Sequence, residues 1–268
     1  MKPAEITCNG LTAVRNRTPM IHHITNKVVM NLTANVTLCL GAAPVMAPSI
    51  DESPEMAASA GALLLNIGTL DTSLVESMLT AGRVANDLGI PVVFDPVGAG
   101  ATRLRTASAK MIARELDIAI VRANPGEILA LYGTGGKVRG VDSMDSVEGR
   151  IDLISSFAAE SGCVIAVTGA TDFVTDGERV GRIENGHPMM ARVTGTGCSA
   201  TTSVACFAAS VEDPFNAAMG GLIALGIAGE NAAETSSGPG TFVPRFLDAL
   251  SNLDSEIITE YARAEVIS

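Results

Sequence analysis

The chain has 268 residues, 47% of them apolar, and a formal net charge of −11 with no tryptophan. This length allows one large domain or two small ones with a sizeable core, and the acidic balance argues against a nucleic-acid partner, because phosphate binding needs a basic face. No apolar run reaches the roughly 18 residues of a membrane span, Met1–Glu5 lacks the apolar core of a signal peptide, and five cysteines without CxxC spacing argue against a disulfide framework or structural zinc and suit a reducing cytoplasm.

The elements are predicted in chain order from period and punctuation. Residues 4–16 read as a weakly amphipathic helix through Ile6, Leu11 and Val14, and Pro19–Ile24 as a short strand. Thr25-Asn26 are expected to cap a helix with Val28, Val29, Leu32, Val36 and Leu40 on one stripe, stopped by Gly41. Ala43–Met46 is extended, and Ala62–Ile67 is a buried strand turning at Gly68-Thr69. Asp71 caps a helix to Leu88, and Pro91–Asp95 is the next strand. A helix over 105–115 and the strand Ile118–Arg122 follow, then a helix opening at Asn124 and another over roughly 145–160. Cys163–Thr168 is a strand, and Asp172–Glu184 is a hairpin about Asp176-Gly177. A small-residue helix, Ala200–Ala209, precedes one entered through Asp213-Pro214. Gly238–Phe242 leads into a last helix to about Leu250.

Strands alternate with helices and are apolar on both faces. The pattern predicts an α/β fold, a mostly parallel sheet with helices on both faces, read as one domain over residues 1–268. Ligands in such folds bind beyond the carboxyl ends of the strands. Asn66, Asp95, Arg122–Asn124 and Thr168 stand at those ends and are expected to gather along one edge.

The stretch Val193–Ser199 is the strongest single feature. Gly195-Thr196-Gly197 lets the backbone approach a ligand, and a helix start presents unpaired N–H groups and partial positive charge to an anion. Cys198 in the first turn is expected to have a lowered thiol pKa. Alone, the stretch reads more readily as a glycine turn into a buried helix. Two nucleotide signatures fail on context. Gly195–Ala200 fits dinucleotide spacing, but a second helix rather than a strand follows. Gly133–Lys137 lacks the first glycine and the Ser or Thr of a P-loop, having Leu131 and Val138 there. Asn124-Pro125-Gly126-Glu127 makes a capping box, and Glu127 could also organise magnesium or its waters. Asp95 is either a turn aspartate or the metal's charge partner. His22-His23 and His187 lack ligand spacing. Met46 beside Pro44 is core, or a polarisable wall for a flat heterocycle.

Taken together these pieces resemble the hydroxyethylthiazole kinase family, of the three-layer ribokinase-like fold, from about His23 to Leu250. The resemblance rests on Thr25-Asn26, Thr33-Ala34-Asn35, Gly41–Met46, Asp95–Gly100, Asn124–Glu127, Val167-Thr168-Gly169, Val174–Gly177, Gly195–Cys198 and Gly238–Phe242. Cysteine after the Gly-Thr-Gly turn is telling, since most ribokinase-like kinases place aspartate there. The resemblance implies that ATP is held by Arg122, Thr168 and Gly197. It implies that the thiazole alcohol lies against Met46 and Gly195 near Asn26, and that Cys198 sits catalytically by the hydroxyl. Asp95 and Glu127 would serve Mg2+, and the assembly would be a cytoplasmic homotrimer with active sites at subunit boundaries. Ala123 departs from the glycine often found between Arg122 and Asn124, and residues after about 252 extend past the usual end and receive no role.

The loose, anionic phosphoryl-transfer state then calls for positioning and electrostatics, with the turn at 195–198 as the anion hole. Two other classes remain at this point. An ATP- or ADP-dependent dehydratase of damaged nicotinamide cofactors, on a related fold, would dehydrate without phosphorylating an alcohol. A non-catalytic nucleotide-binding protein would bind ATP without turnover.

Overall fold

The computed structural model describes residues 1–133 and 151–267. The P-loop look-alike past Gly133 and the first residues of the helix expected over 145–160 lie outside the described residues. The elements run α1 (Pro3–Arg17), β1 (Met20–Ile24), α2 (Met30–Leu40), β2 (Ala43–Val45), α3 (Ser53–Ala58), β3 (Ala62–Asn66) and α4 (Thr72–Asp87). They continue with β4 (Val92–Asp95), α5 (Arg103–Glu115), β5 (Ile120–Ala123), α6 (Pro125–Tyr132), α7 (Ile151–Ser161), β6 (Val164–Val167), β7 (Asp172–Thr175) and β8 (Val180–Ile183). A short 3-10 helix (Pro188–Arg192) then leads to α8 (Thr196–Ala208), α9 (Pro214–Thr235), α10 (Pro239–Asn252), α11 (Ser255–Tyr261) and β9 (Ala264–Val266).

The strands form one sheet in the order β2-β1-β3-β4-β5-β6-β7-β8-β9. Neighbours from β2 through β6 are parallel, and β6 through β9 are antiparallel. Alternation along the parallel strands sends Leu64, Val93, Ile120 and Ala166 into a core roofed by α1, α2, α8, α9 and α10. Leu63, Leu65, Phe94, Val121 and Ile165 enter the opposite core under α4, α5, α6 and α7. These are the three layers expected of strands apolar on both faces.

The same alternation positions the site. Counting by two from Leu64, Val93, Ile120 and Ala166 reaches Asn66, Asp95, Arg122 and Thr168. All four side chains therefore leave the sheet on the face covered by α8. Register sharpens this, because Asn66 lies directly opposite Asp95 in the β3–β4 pair.

Several local expectations change. Thr25-Asn26 do not cap α2, whose N-cap is Val29 with no side-chain hydrogen bond. Both are buried, and Asn26 is spent on the site described below, while Val28 faces outward instead of joining the apolar stripe. The α8 helix starts at Thr196, which puts Cys198 in its first turn as expected and lengthens the small-residue helix ahead of Ala200, and Gly238–Phe242 forms the N-cap and opening of α10. The short α3 lacks enough turns for a periodic signal. Residues after 252 are not a tail: Asp254 caps α11, and β9 closes the sheet edge against β8.

Candidate active site

The turn into α8 is built by Gly195, which takes φ +96°, a left-handed conformation that side-chain-bearing residues rarely adopt. A Cβ there would also lie 2.9 Å from Leu32 Cδ2. Ser199 N is the first amide returned to a helix carbonyl, that of Gly195 at 2.8 Å. The amides of Thr196, Gly197 and Cys198 are thus left without intrahelical partners, as at any helix start.

On one side of this turn lies a buried hydrogen-bonded chain. Asn26 Nδ2 donates to Asn66 Oδ1 at 2.9 Å, and Asn66 Nδ2 donates to Asp95 Oδ2 at 2.9 Å. Both amides also reach Cys198 Sγ, Asn26 at 3.5 Å and Asn66 at 3.2 Å. Asp95 Oδ2 further accepts from Thr201 Oγ1 at 2.7 Å and lies 3.8 Å from Arg122 Nη1. Asp95 Oδ1 is buried with no protein partner. Burial pushes the Asp95 carboxyl up to about 6, Arg122 and Thr201 oppose that, and the Glu127 charge adds to it.

Cys198 departs from expectation. Burial, and then the nearby Asp95 charge, raise its thiol pKa above the ordinary value. The Asn66 and Asn26 donors and Arg122 oppose that rise without reversing it. The helix start alone suggests a lowered value, but the side chain is partly buried beside a carboxylate, and those two effects win.

On the other side is a cavity of about 590 Å³, within the size range of small-molecule sites. Its lining includes Arg122, Thr168, Asp172, Gly197, Leu222 and Leu225. Arg122 Nη2 donates to Thr168 Oγ1, and a Cβ on Gly197 would sit 3.1 Å from Arg122 Nη1, so the guanidinium lies close over the α8 turn. Asp172 accepts from Gly169 N at 2.8 Å, and burial raises its carboxyl to about 6.

Glu127 does what a capping box requires. Its Oε2 accepts from Asn124 N at 3.0 Å, while Asn124 Oδ1 accepts from Glu127 N at 2.9 Å. Its other oxygen, Oε1, accepts from Gly98 N at 2.7 Å and ties the turn after β4 to α6.

The structure therefore joins Asn26, Asp95, Arg122 and Cys198 in one cluster, with Arg122, Thr168 and Gly197 facing the cavity and Gly195 between them. Met46, half-buried just past β2 at the sheet edge, is outside that bonded cluster. Thr201 went unread, although its spacing of three from Cys198 puts both on one helix face. The cavity wall from Asn185 to Ala191 and the α9 residues Leu222, Leu225 and Gly226 were missed as well. A sequence does not announce walls made of backbone and aliphatic groups. His22 and His23 are buried strand residues, with Nε2 atoms at Ala47 O (3.0 Å) and Thr37 Oγ1 (3.1 Å).

The hydroxyethylthiazole kinase family model matches residues 11–256. A hydroxyethylthiazole kinase of Roseiflexus sp. (strain RS-1) is 52% identical over 253 residues, 94% of each chain. The solved structure of hydroxyethylthiazole kinase from Pyrococcus horikoshii OT3 matches with a TM-score of 0.91 at 40% identity, over 98% of this chain and 100% of that one. A ribokinase-like superfamily protein from Enterococcus faecalis V583 matches with a TM-score of 0.67 at 13% identity, over 92% and 89% of the two chains, which speaks to fold alone. Neither the dehydratase nor the silent binder is favoured by these relatives. The fold is ribokinase-like, and the chain belongs to the hydroxyethylthiazole kinase family.

Proposed function

We propose that the chain moves the γ-phosphoryl group of ATP onto the hydroxyl of 4-methyl-5-(2-hydroxyethyl)thiazole, releasing ADP and the thiazole phosphate ester used in making thiamine. The carrying observation is the placement of the α8 N-terminus. Its unpartnered amides stand between a nucleotide-sized cavity on the Arg122–Thr168 side and the Asn26–Asn66–Cys198 cluster on the other.

ATP lies in the cavity, its base against Leu222 and Leu225 and its phosphates toward Arg122, Thr168 and Gly197. The thiazole alcohol lies by Asn26, Gly195 and Met46. The bond from the γ-phosphorus to the ADP oxygen breaks as the bond to the alcohol oxygen forms. The transferring group is close to metaphosphate, so stabilising its spread charge is the main task. The Thr196, Gly197 and Cys198 amides donate to it, and one such donor is worth roughly 3–4 kcal/mol. Cys198 touches the hydroxyl as a neutral thiol, since its raised pKa keeps the proton on sulfur. It orients the alcohol, whose proton departs late, to solvent, when the new phosphorus–oxygen bond has made it acidic.

Mg2+ fits the charge arrangement. Asp95 offers a buried, unpartnered Oδ1 within the field of Glu127. Among the described residues no three His, Cys, Asp or Glu side chains gather into a ready ligand set. That suits magnesium, which takes one or two carboxylates and completes its shell with water and phosphate. Asp95 would hold it, with Glu127 acting through water, and when bound it supplies neutralisation of the β- and γ-phosphates.

Residues 1–268 act in this reading as one catalytic domain. We read the assembly as a homotrimer in which a second copy covers Met46 and completes the thiazole site, and the exposed Val28, Leu38 and Ile50 leave apolar surface free for a partner copy. Five free cysteines support a reducing, cytoplasmic setting. The test is purified protein with ATP, magnesium and hydroxyethylthiazole, scored for ADP and phosphate ester. The thiazole should be used far better than ribose or hydroxymethylpyrimidine, because Pro44-Val45-Met46 offers no polar side chains to sugar hydroxyls. Comparable kcat/KM on ribose contradicts the specificity.

A further inference from the structure

The chain past α10 braces one wall of the nucleotide cavity. Asn185, Gly186, His187, Pro188, Met190 and Ala191 line the cavity between β8 and the α8 turn. This segment has no regular backbone pairing until the 3-10 helix at Pro188. It is held instead from behind. Glu230, near the end of α9, accepts from Gly186 N at 2.5 Å through Oε1, and from Asn185 Nδ2 at 3.3 and 3.2 Å through its two oxygens. Arg263, between α11 and β9, grips the same carboxylate with both arms, Nη2 to Oε1 at 2.6 Å and Nη1 to Oε2 at 3.1 Å. Its backbone N donates to Asn185 Oδ1 at 2.8 Å, and Asn185 Nδ2 also donates to Tyr261 O at 2.8 Å. Arg263 Nη2 and backbone O close the loop on Glu184 O and N at 2.9 and 2.8 Å.

We propose that Glu230 and Arg263 are positioning residues for the nucleotide, clamping the Asn185–Pro188 wall so that the cavity is preformed to take ATP. Three facts carry this. The Asn185 amide, 6% exposed, has its acceptor and both donors committed to the clamp, so its place at the cavity edge is fixed by residues that never touch the ligand. The Glu230 carboxylate is mostly buried, its side chain 14% exposed, and all of its partners belong either to the wall or to Arg263. The clamp also draws on Tyr261 and Arg263, which lie beyond residue 256, where the matched family region ends. No part of it bonds to the Asn26–Asn66–Cys198 cluster among the described residues, so it separates the two substrates. A preformed wall lowers the ordering cost that binding must otherwise meet.

The inference rests on the reading that ATP occupies this cavity. The experiment is steady-state kinetics with each substrate varied in turn, alongside thermal unfolding, on the full chain. Glu230→Ala should raise KM for ATP about tenfold, since small misplacements at a site are costly, with KM for the thiazole and kcat unchanged. Glu230→Gln keeps one acceptor for Gly186 N but turns an amide donor toward the Arg263 and Asn185 donors, so it should recover only part of that loss. Arg263→Ala, at a half-exposed side chain that tolerates replacement, should give a smaller shift of the same kind even if Glu230→Ala fails to fold. Equal increases in both KM values with a lowered Tm would overturn the proposal in favour of plain structural support. An unmoved KM for ATP in Glu230→Ala and Arg263→Ala, while Arg122→Ala raises it, would overturn the clamp and leave the cavity reading intact. An unmoved KM for ATP in Arg122→Ala as well would overturn both.

Discussion

The two sides of the α8 turn are built differently. The acceptor side is a closed chain of polar side chains, Asn26 to Asn66 to Asp95 to Thr201, with Cys198 receiving two amides. The nucleotide side is a cavity walled largely by backbone and aliphatic groups, with Arg122, Thr168 and Asp172 as its polar points. In the proposed reading the difference follows what each side would hold. A small alcohol must be fixed at one oxygen, which needs short, satisfied hydrogen bonds. A nucleotide brings a large flat base and three phosphates, which need room, apolar contact and a few charges. Arg122 is the link between them, bonding Thr168 on one side and pairing with Asp95 on the other.

The comparison breaks most readily at that link. Arg122→Ala removes a charge-assisted contact to phosphate worth about 1.5–3 kcal/mol, so kcat/KM for ATP should fall by about 10–100-fold. KM for the thiazole should change little, and substrate-varied kinetics decide it. An equal rise in both KM values would mean that Arg122 mainly supports Asp95.

Cys198→Ala probes the acceptor side. A positioned general base is typically worth about 10²–10⁴-fold. A neutral thiol that orients the hydroxyl should be worth less, so the expected loss in kcat lies below about 10²-fold with ATP binding intact. A loss within the general-base range would show that the thiolate is used after all, against the rise caused by burial and Asp95.

The acceptor side also stands on β1, where His22 and His23 are buried just before Asn26. Burial, and then His22, depress His23 to about 3, and burial lowers His22 as well. Between the unfolded value of about 6.5 and 3, the unfolded chain binds a proton that the native His23 refuses, so stability is full above that window and falls as pH drops through it. The slope from His23 is about 1.4 kcal/mol per pH unit. Asp95 and Asp172, raised by burial to about 6, contribute the opposite slope between about pH 6 and 4, so the contribution of His23 is read as a difference. In urea unfolding from pH 8 to pH 4.5, wild type should lose stability relative to His23→Gln as pH falls, and parallel curves for the two would contradict the burial of a neutral imidazole.

Glu127→Gln is the smallest expected effect. Glutamine also completes a capping box, so the thermal midpoint should barely move while the magnesium concentration for half-maximal rate rises. Unchanged magnesium dependence would leave Glu127 with its capping role and its bond to Gly98 alone.

Much of the acceptor side is legible from sequence because strands announce their ends. Asn66, Asp95, Arg122 and Thr168 each follow a short apolar run, and a parallel sheet gathers such ends on one edge. That they also share one face follows from period two, once the register of Asn66 against Asp95 is known. Asn26 was legible as a polar residue after a strand, but its local helix-capping signal lost to a tertiary partner, Asn66. The thiol pKa is not legible locally: a helix start is visible in sequence and points down, whereas burial beside Asp95, which points up, is not. The wall at Asn185–Ala191 and its clamp at Glu230 and Arg263 join residues 33 to 78 positions apart, and no local pattern marks such pairs.

In this reading one turn separates two independent binding sites. The direct measurement is calorimetric titration of wild type, Arg122→Ala and Asn26→Ala with two ligands in turn, a non-hydrolysable ATP analogue with magnesium and hydroxyethylthiazole. Arg122→Ala should lose affinity for the nucleotide and keep the thiazole, and Asn26→Ala should do the reverse. Loss of both ligands to the same extent in either folded variant, or a nucleotide that binds Arg122→Ala as tightly as wild type, would contradict it.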